Sequence, residues 1–354
     1  MIHTKIVKLD RRNPDENSLK EAAEIIKNGG LVIIPTETVY GIAANMLNTD
    51  AIERLFQIKS RPKHKPFTLH IYKKESVEEF AQDIPVSGYK LMDRFWPGPL
   101  TLIFKSKKGP ANIGIRLPDD EIAFKVIARA QVPVVCPSAN ISGKPPPKNF
   151  SEAIADFNGL VDFAIDAGQT RLGKESTLVD LTKASVQILR ESAIERKDIE
   201  EIVNKKILLF VCTGNSCRSV MAKALLEKKL KEKNRQDVEV LSAGIMMLAG
   251  LGATPETKGL LEREGLDVSS HFSQKVTAPM IGKSDIILVM EKFQEDRIVE
   301  LMPQAKNRVF LLKEFAKIRD NNLDIPDPIG KPLAFYESVF TVIKEAIEKV
   351  AELI

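Results

Sequence analysis

The chain has 354 residues, 44% hydrophobic and 28% charged, a balance that suits packed cores and excludes long disorder. Its length sets an expectation of about two domains. A net charge of only +4, with a pI near 8.7, permits anionic partners such as nucleotides but is too weak to argue for nucleic-acid binding.

The opening segment MIHTKIVKLDRRNP has no apolar h-region, so no signal peptide is expected. A first helix is predicted over Asn17 to Lys27, with Leu19, Ala22, Ala23, Ile25 and Ile26 on one face. Gly29 and Gly30 end it, and residues 31–34 follow as a buried strand. Asp50 is expected to cap a second helix that turns Ile52, Leu55 and Phe56 inward. Polar islands then recur beside apolar strands: PTETVYG (35–41), KSRPKHKPFTLHI (59–71), WPGPLT (96–101), GIRLP (114–118), CPSANISG (136–143), ESTLVDL (175–181) and ILRES (188–192).

Residues 193–205 are polar and helix-prone and separate two complete α/β patterns. The domains are therefore expected at 1–200 and 205–354. After the boundary the order restarts: strand 206–211, loop, helix from Arg218, strand 237–242, helix from Pro255, strand 285–290, helix, strand 308–312 and a last helix from about Leu333. Thr254-Pro255 is a cap and first-turn pair, and Gly265 a helix stop. Four buried strands with crossing helices predict a small doubly wound parallel sheet. The aliphatic runs Ile207 to Cys212 and Ile286 to Met290 suit such strands and are too short for a bilayer.

Only three cysteines occur, Cys136, Cys212 and Cys217, which points to a reducing cytosol rather than a disulfide framework. The four histidines are scattered and offer no metal-ligand pattern. The sharpest local signal is VCTGNSCRS, residues 211–219, running from the end of a strand straight into a helix. Such a loop (Thr213, Gly214, Asn215, Ser216, Cys217) aims backbone N–H groups and the helix dipole at one anion-sized volume and favours a thiolate at Cys212. The planar fork of Arg218 can hold two phosphate oxygens. Ser219 can donate to the sulfur, and Asn215 can pin the loop. DIPDPIG, residues 324–330, supplies Asp327 as an acid for a leaving group. A zinc site on Cys212 and Cys217 lacks further ligands, since this half offers only His271. Cys217 is either packing or a resolving thiol for Cys212.

This loop, the SAG at 242–244, the MEK after the third strand and the late Asp-Pro resemble the low-molecular-weight protein phosphatase family over nearly all of 206–354. The resemblance implies a phosphocysteine on Cys212, transition-state stabilisation by Arg218 and acid catalysis by Asp327 on a phosphoprotein. Ser216 stands where tyrosine-specific relatives carry a bulky aliphatic residue, and is similar to the threonine of the protein-arginine phosphatase branch. Ile329 stands where the tyrosine enzymes are usually aromatic. Arsenate reductases share the fold, but the relay of the thioredoxin-coupled type needs additional cysteines, and none follows Cys217.

The N-terminal islands, in this order, resemble the YrdC/Sua5 family of threonylcarbamoyl-AMP synthases over about 10–192, a twisted α/β domain. The family signature stands as Lys59/Arg61 and Ser138/Asn140. The resemblance implies a reaction of L-threonine, bicarbonate and ATP, with Mg2+ on the triphosphate and no metal site in the protein. It assigns Lys59, Arg61, Lys63, Asn112, Ser138, Asn140, Pro146 and Arg190 to the nucleotide. Thr36, His70, Arg116, Cys136 and Ser176 fall around threonine, Arg116 facing the carboxylate and Cys136 acting through its backbone. It further implies the t6A modification of tRNA, reached through a transferase complex, in the cytoplasm and away from membranes. Longer members end in another domain that closes over the synthase, and here the phosphatase pattern takes that place. Two rivals are an N-terminal RNA-binding module and a hydrogenase-maturation carbamoyltransferase. Weak net charge and a missing aromatic signature count against the first, and missing zinc-finger cysteines against the second.

Overall fold

A computed structural model of the protein describes residues 3–108, 112–246 and 250–354. The chain separates into two compact units, residues 1–202 and 203–354.

The first unit is built on one mixed sheet. Its strands are β1 (Lys5–Lys8), β2 (Val32–Ile34), β3 (Gly41–Asn45), β4 (Leu69–His70), β5 (Ala81–Gln82), β6 (Leu100–Ser106), β7 (Asn112–Arg116), β8 (Val134–Val135), β9 (Phe163–Asp166), β10 (Thr177–Asp180) and β11 (Gln187–Arg190). Their order is β1-β9-β2-β3-β8-β4-β7-β6-β10-β11, with β5 added beside β6. Parallel and antiparallel pairs alternate irregularly: β2 runs parallel to β9 but antiparallel to β3, and β4 runs parallel to β7 but antiparallel to β8. Side chains alternate across the sheet. Val32 and Ile34 pack with Leu19, Ala22 and Ile26 of the helix Glu16–Lys27 and with Ile122, Val126 and Ile127 of the helix Glu121–Ala130. Leu31 and Ile33 pack on the other face with Leu55 of the helix Thr49–Ile58 and with Phe157. A strand buried on both faces reads as an unbroken apolar run, as Leu31 to Ile34 does.

The first helix starts one residue earlier than expected because the Asp15 carboxylate accepts from Ser18 N at 2.8 Å. Asp50 does not cap the second helix. Asn48 does, accepting from Ala51 N at 2.9 Å, and Asp50 lies in the first turn, where its charge faces the positive end of the dipole. The polar segment after residue 193 forms the helix Arg196–Asn204.

The second unit holds β12 (Lys206–Cys212), β13 (Val238–Gly244), β14 (Ile286–Val289) and β15 (Val309–Leu311), all parallel, in the order β13-β12-β14-β15. The order reverses at β12, so the crevice beyond its C-terminal end is the topological switch point. The helices Arg218–Glu232 and Leu333–Leu353 pack over one face, burying Leu225, Leu226, Phe340, Ile343 and Ile347 against Leu208, Phe210 and Val240. Thr254 caps the helix Pro255–Arg263 through Thr257 N, and Gly265 follows it at φ +73°. Among the described residues, no helix is long and apolar enough to cross a membrane.

Candidate functional site

In the second unit, β12 delivers Cys212 to the switch point and the helix beginning at Arg218 leaves from it, so residues 213–217 must turn within five residues. Asn215 makes that turn at φ +52°, a conformation Asn tolerates better than most residues. Its side chain is fully used. Nδ2 donates to Ser219 Oγ and Ser242 Oγ, both at 3.0 Å, and Oδ1 accepts from Gln274 N at 3.0 Å. His271 Nε2 lies 2.7 Å from its carbonyl oxygen. Gly244 is needed because a Cβ there would sit 2.8 Å from the Thr213 carbonyl oxygen and 3.0 Å from Asn215 N. Both obstacles are backbone, which cannot swing aside.

The sulfur of Cys212 lies 3.0 Å from Ser219 Oγ and 3.3 Å from the N–H of Asn215. Ser219 accepts from Asn215, which leaves its own proton for the sulfur. Two donors therefore converge on Cys212 and stabilise negative charge there. Arg218 is 1% exposed. Its Nη1 donates to Glu291 Oε2 at 2.5 Å and to the Ile325 carbonyl at 2.7 Å. Its Nη2 donates to Thr213 Oγ1 at 3.2 Å and to the Asp327 carboxylate. Its Nε is buried with no hydrogen-bond partner, a donor left over in an anion-sized site. Arg218 and Asp327 are thus brought together although they lie far apart in sequence.

Glu291 and Gln294 are site residues that the sequence reading did not assign. Gln294 Nε2 donates to Thr213 Oγ1 and Glu291 Oε2, each at 3.1 Å, so it ties the loop to the arginine's counter-ion. Their spacing is that of a capping box at the start of the helix Lys292–Leu301, a visible signal with an ordinary structural meaning. Ser216 is nearly buried, and its Oγ lies 3.7 Å from the sulfur of Cys217. The Cys217 sulfur also faces Thr254 Oγ1 at 3.5 Å and the Tyr336 hydroxyl at 3.8 Å, and burial raises that phenol to about 12.

In the first unit, a cavity of about 170 Å3 is lined by Thr36, Arg61, His70, Arg116, Cys136, Ser138, Ser176 and Arg190. These come from segments spread over 150 residues and meet because β3, β4, β7 and β8 are sheet neighbours. Thr36 Oγ1 donates to the Val39 carbonyl at 2.7 Å and accepts from Thr38 N at 3.2 Å, closing the turn that carries it. Arg190 reaches Glu175 Oε1 at 2.6 Å and the Ser176 carbonyl at 3.0 Å, and Ser176 Oγ lies 2.8 Å from Thr101 Oγ1. His70 is buried beside Arg116, and both effects push its imidazole down to about 3, so it is neutral. Burial raises the Cys136 thiol to about 12, against the pull of Arg116 and Lys59, so it is no nucleophile. Its backbone N–H donates to the Thr68 carbonyl at 3.0 Å. Gly41 pairs with Ser138 across the sheet, and a Cβ there would collide with the Cys136 sulfur.

Five assigned residues do not line this cavity. Lys59 is 2% exposed, and its Nζ donates to the carbonyls of Ser138 at 2.5 Å and Asn140 at 2.6 Å, so it holds the 138–140 loop from behind. Burial, then the neighbouring Arg61, lowers its ammonium to about 8. Asn140 accepts from Ser138 Oγ at 2.5 Å and donates to the Lys144 carbonyl at 2.6 Å. It lines, with Pro146, Lys144 and Asp156, a separate pocket of about 320 Å3. Lys63 is exposed and pairs with Glu53 at 3.0 Å, and Asn112 is exposed at the start of β7. Tyr40, Thr68, Thr101 and Glu175 also line the cavity, and Glu37 lies against Arg116 outside it; the sequence reading assigned none of them. Each is an ordinary residue within its segment and carries no separate signal.

Among the described residues, no group of three or more His, Cys, Asp or Glu side chains is placed to hold a metal ion.

Two family models match separate parts of the chain. The Sua5/YciO/YrdC family model, described as telomere recombination, matches residues 24–192, and the low molecular weight phosphotyrosine protein phosphatase model matches 207–354. A threonylcarbamoyl-AMP synthase of Pyrococcus abyssi is 39% identical over 203 residues, covering 55% of this chain and 60% of that protein. The chain thus spans about three fifths of that relative's length. A relative from Methanocaldococcus jannaschii is 35% identical over 203 residues, 54% of this chain and 95% of its own. A protein-arginine-phosphatase of Geobacillus stearothermophilus is 38% identical over 145 residues, 41% of this chain and 93% of its own. The crystal structure of P. abyssi Sua5 complexed with L-threonine covers 87% of this chain and 99% of its own, with 26% identity and a TM-score of 0.55. Through its N-terminal half the chain belongs to the YrdC/Sua5 family, and through its C-terminal half to the low-molecular-weight protein phosphatase family.

Proposed function

We propose that the chain carries two enzymes, a threonylcarbamoyl-AMP synthase in residues 1–200 and a phosphocysteine-forming protein phosphatase in residues 205–354. For the synthase, the observation that carries the reading is the convergence of Arg61, Arg116 and Arg190 with Thr36, Ser138 and Ser176 in one cavity. Two anions, a carbamate and a nucleotide triphosphate, must meet for the reaction, and a concave cationic site screens their repulsion.

In this reading the amine of L-threonine takes up bicarbonate with loss of water. The carbamate oxygen then attacks the α-phosphorus of ATP, and pyrophosphate leaves. Thr36, His70, Arg116, Cys136 and Ser176 surround threonine, with Arg116 on its carboxylate. Arg61, Ser138 and Arg190 hold the phosphates. Lys59 acts by fixing the Ser138–Asn140 carbonyls. Asn140 and Pro146 frame the neighbouring pocket for the base and ribose, and Lys63 and Asn112 approach the nucleotide from the rim. Mg2+ would ride on the triphosphate, held partly by the substrate's own oxygens. The threonine complex of the P. abyssi protein supports the choice of amino acid. The product would pass to a transferase complex that modifies tRNA with t6A, in the cytoplasm.

For the phosphatase, Cys212 attacks phosphorus, Arg218 binds the equatorial oxygens and Asp327 protonates the leaving group. Water then cleaves the phosphocysteine with Asp327 as base. The small hydroxyl of Ser216, Ile329 in place of an aromatic residue and the protein-arginine-phosphatase relative favour phosphoarginine over phosphotyrosine.

Pyrophosphate release from ATP that requires both threonine and bicarbonate is the expected result. ATP-independent, salt-sensitive RNA binding without such release would overturn the synthase reading. Hydrolysis of a phosphoarginine peptide is expected to exceed that of the phosphotyrosine analogue, and the reverse order would overturn the specificity.

A further inference from the structure

We infer that Glu37 is a positioning residue that fixes the guanidinium of Arg116 so that Nη1 meets the carboxylate of the amino-acid substrate. The inference rests on the synthase reading above.

Glu37 is 1% exposed and Arg116 is 4% exposed. Glu37 Oε1 lies 2.7 Å from Arg116 Nη2, and the approach is too far off line for a hydrogen bond. Glu37 Oε2 is buried with no hydrogen-bond partner at all. A buried carboxylate held by a single ion pair is costly to desolvate and is poor value as a packing element. Its placement has another consequence. Arg116 Nε donates to the Gly98 carbonyl at 3.3 Å, and Nη2 is drawn to Glu37. The rear and one side of the guanidinium are therefore taken, and Nη1 has no protein partner among the described residues. Arg116 lines the cavity and Glu37 does not. Nη2 is itself fully buried against Glu37, so the pair leaves Nη1 as the donor that can face the cavity and meet a carboxylate oxygen by a charge-assisted hydrogen bond.

Glu37 could instead act as a competitor that the substrate carboxylate displaces. Burial argues against this, since a displaced carboxylate would need a route to water and Glu37 has none. The two ideas predict opposite signs. If Glu37 orients the arginine, Glu37→Gln weakens threonine binding. If it competes, the same change tightens it.

The experiment compares the full-length wild type with Glu37→Gln and the charge-keeping Glu37→Asp. Circular dichroism establishes that each is folded. KM is measured for L-threonine and ATP in the pyrophosphate assay, and binding of L-threonine and L-threoninamide by calorimetry. Threoninamide lacks the charged carboxylate, so the ratio of the two affinities reports on Arg116 alone, and general loosening of the site would lower both together. For Glu37→Gln the expected result is a tenfold or larger rise in threonine KM, ATP KM within about threefold, and a collapse of the threonine-to-threoninamide preference. Glu37→Asp should retain part of that preference. An unchanged or increased preference in a folded Glu37→Gln protein overturns the inference. Wild type that releases no threonine-dependent pyrophosphate and binds no threonine overturns the synthase reading itself, a different result.

Discussion

The two sites gather hydrogen-bond donors suited to an anion by different means. Around Cys212 the donors come almost entirely from one tight turn and the start of one helix, and side chains from elsewhere only brace that turn. Around Arg116 the donors come from side chains of distant strands, and the cavity exists only because the mixed sheet is assembled. A local cradle stands or falls with its backbone. A dispersed one degrades one contact at a time.

The comparison is broken most sharply by Cys212→Ser. A serine in the same cradle is a far weaker nucleophile at neutral pH, so aryl-phosphate and phosphoarginine hydrolysis should fall by at least about a thousandfold. Pyrophosphate release by the other unit should stay within twofold. Retained hydrolysis in this variant would remove Cys212 from the mechanism.

Gly244→Ala tests whether backbone shape alone controls the local cradle. The added methyl meets the Thr213 carbonyl and Asn215 N, so the loop must shift. A misplacement near 1 Å should cost on the order of a hundredfold in kcat/KM with the fold retained. Wild-type kinetics would mean that the loop tolerates displacement.

Lys59→Met probes the dispersed site. The carbonyls of Ser138 and Asn140 lose a buried donor, at a cost of about 1–3 kcal/mol each. The first unit should melt several degrees lower, read by calorimetry, and KM for ATP should rise without abolishing turnover. An unaltered melting point would remove Lys59 as the staple of this loop.

The smallest effect is in pH. The Lys59 ammonium titrates near 8 in the folded protein against 10.5 when free. Between those values the unfolded chain binds more protons, so this residue makes stability rise with pH from about 8 to 10.5, and its penalty is fully present below that window. Comparing denaturation midpoints of wild type and Lys59→Met across the window should show a steeper rise in wild type. Parallel curves would count against the buried, shifted amine.

Residues 212–219 were legible because a strand end, a turn and a helix start are adjacent in sequence, and their chemistry follows from that adjacency. Ser219 and Asn215 took the contacts their types suggested. Asp327 was picked out of the DIPDPIG segment, more than a hundred residues away, and the fold brings it to Arg218. Asp50 was misread because Asn48 and Asp50 are both good caps, and only the entry angle of the chain chooses between them. In the other half, Lys59 looked like a phosphate ligand and instead faces two carbonyls. Glu37 went unassigned because a lone acid beside threonines carries no periodic signal.

What depends on neighbours along the chain could be read from the sequence: the alternation of buried strands and amphipathic helices, and the strand–turn–helix at Cys212. Tertiary structure alone decided which distant side chains share a cavity, that Arg116 carries a buried carboxylate at its flank, and that Glu291 and Gln294 brace Arg218. The reason is physical. Local order follows from dihedral preference and burial pattern, which a short window contains. Long-range pairing follows from sheet register and packing, which depend on the whole chain at once.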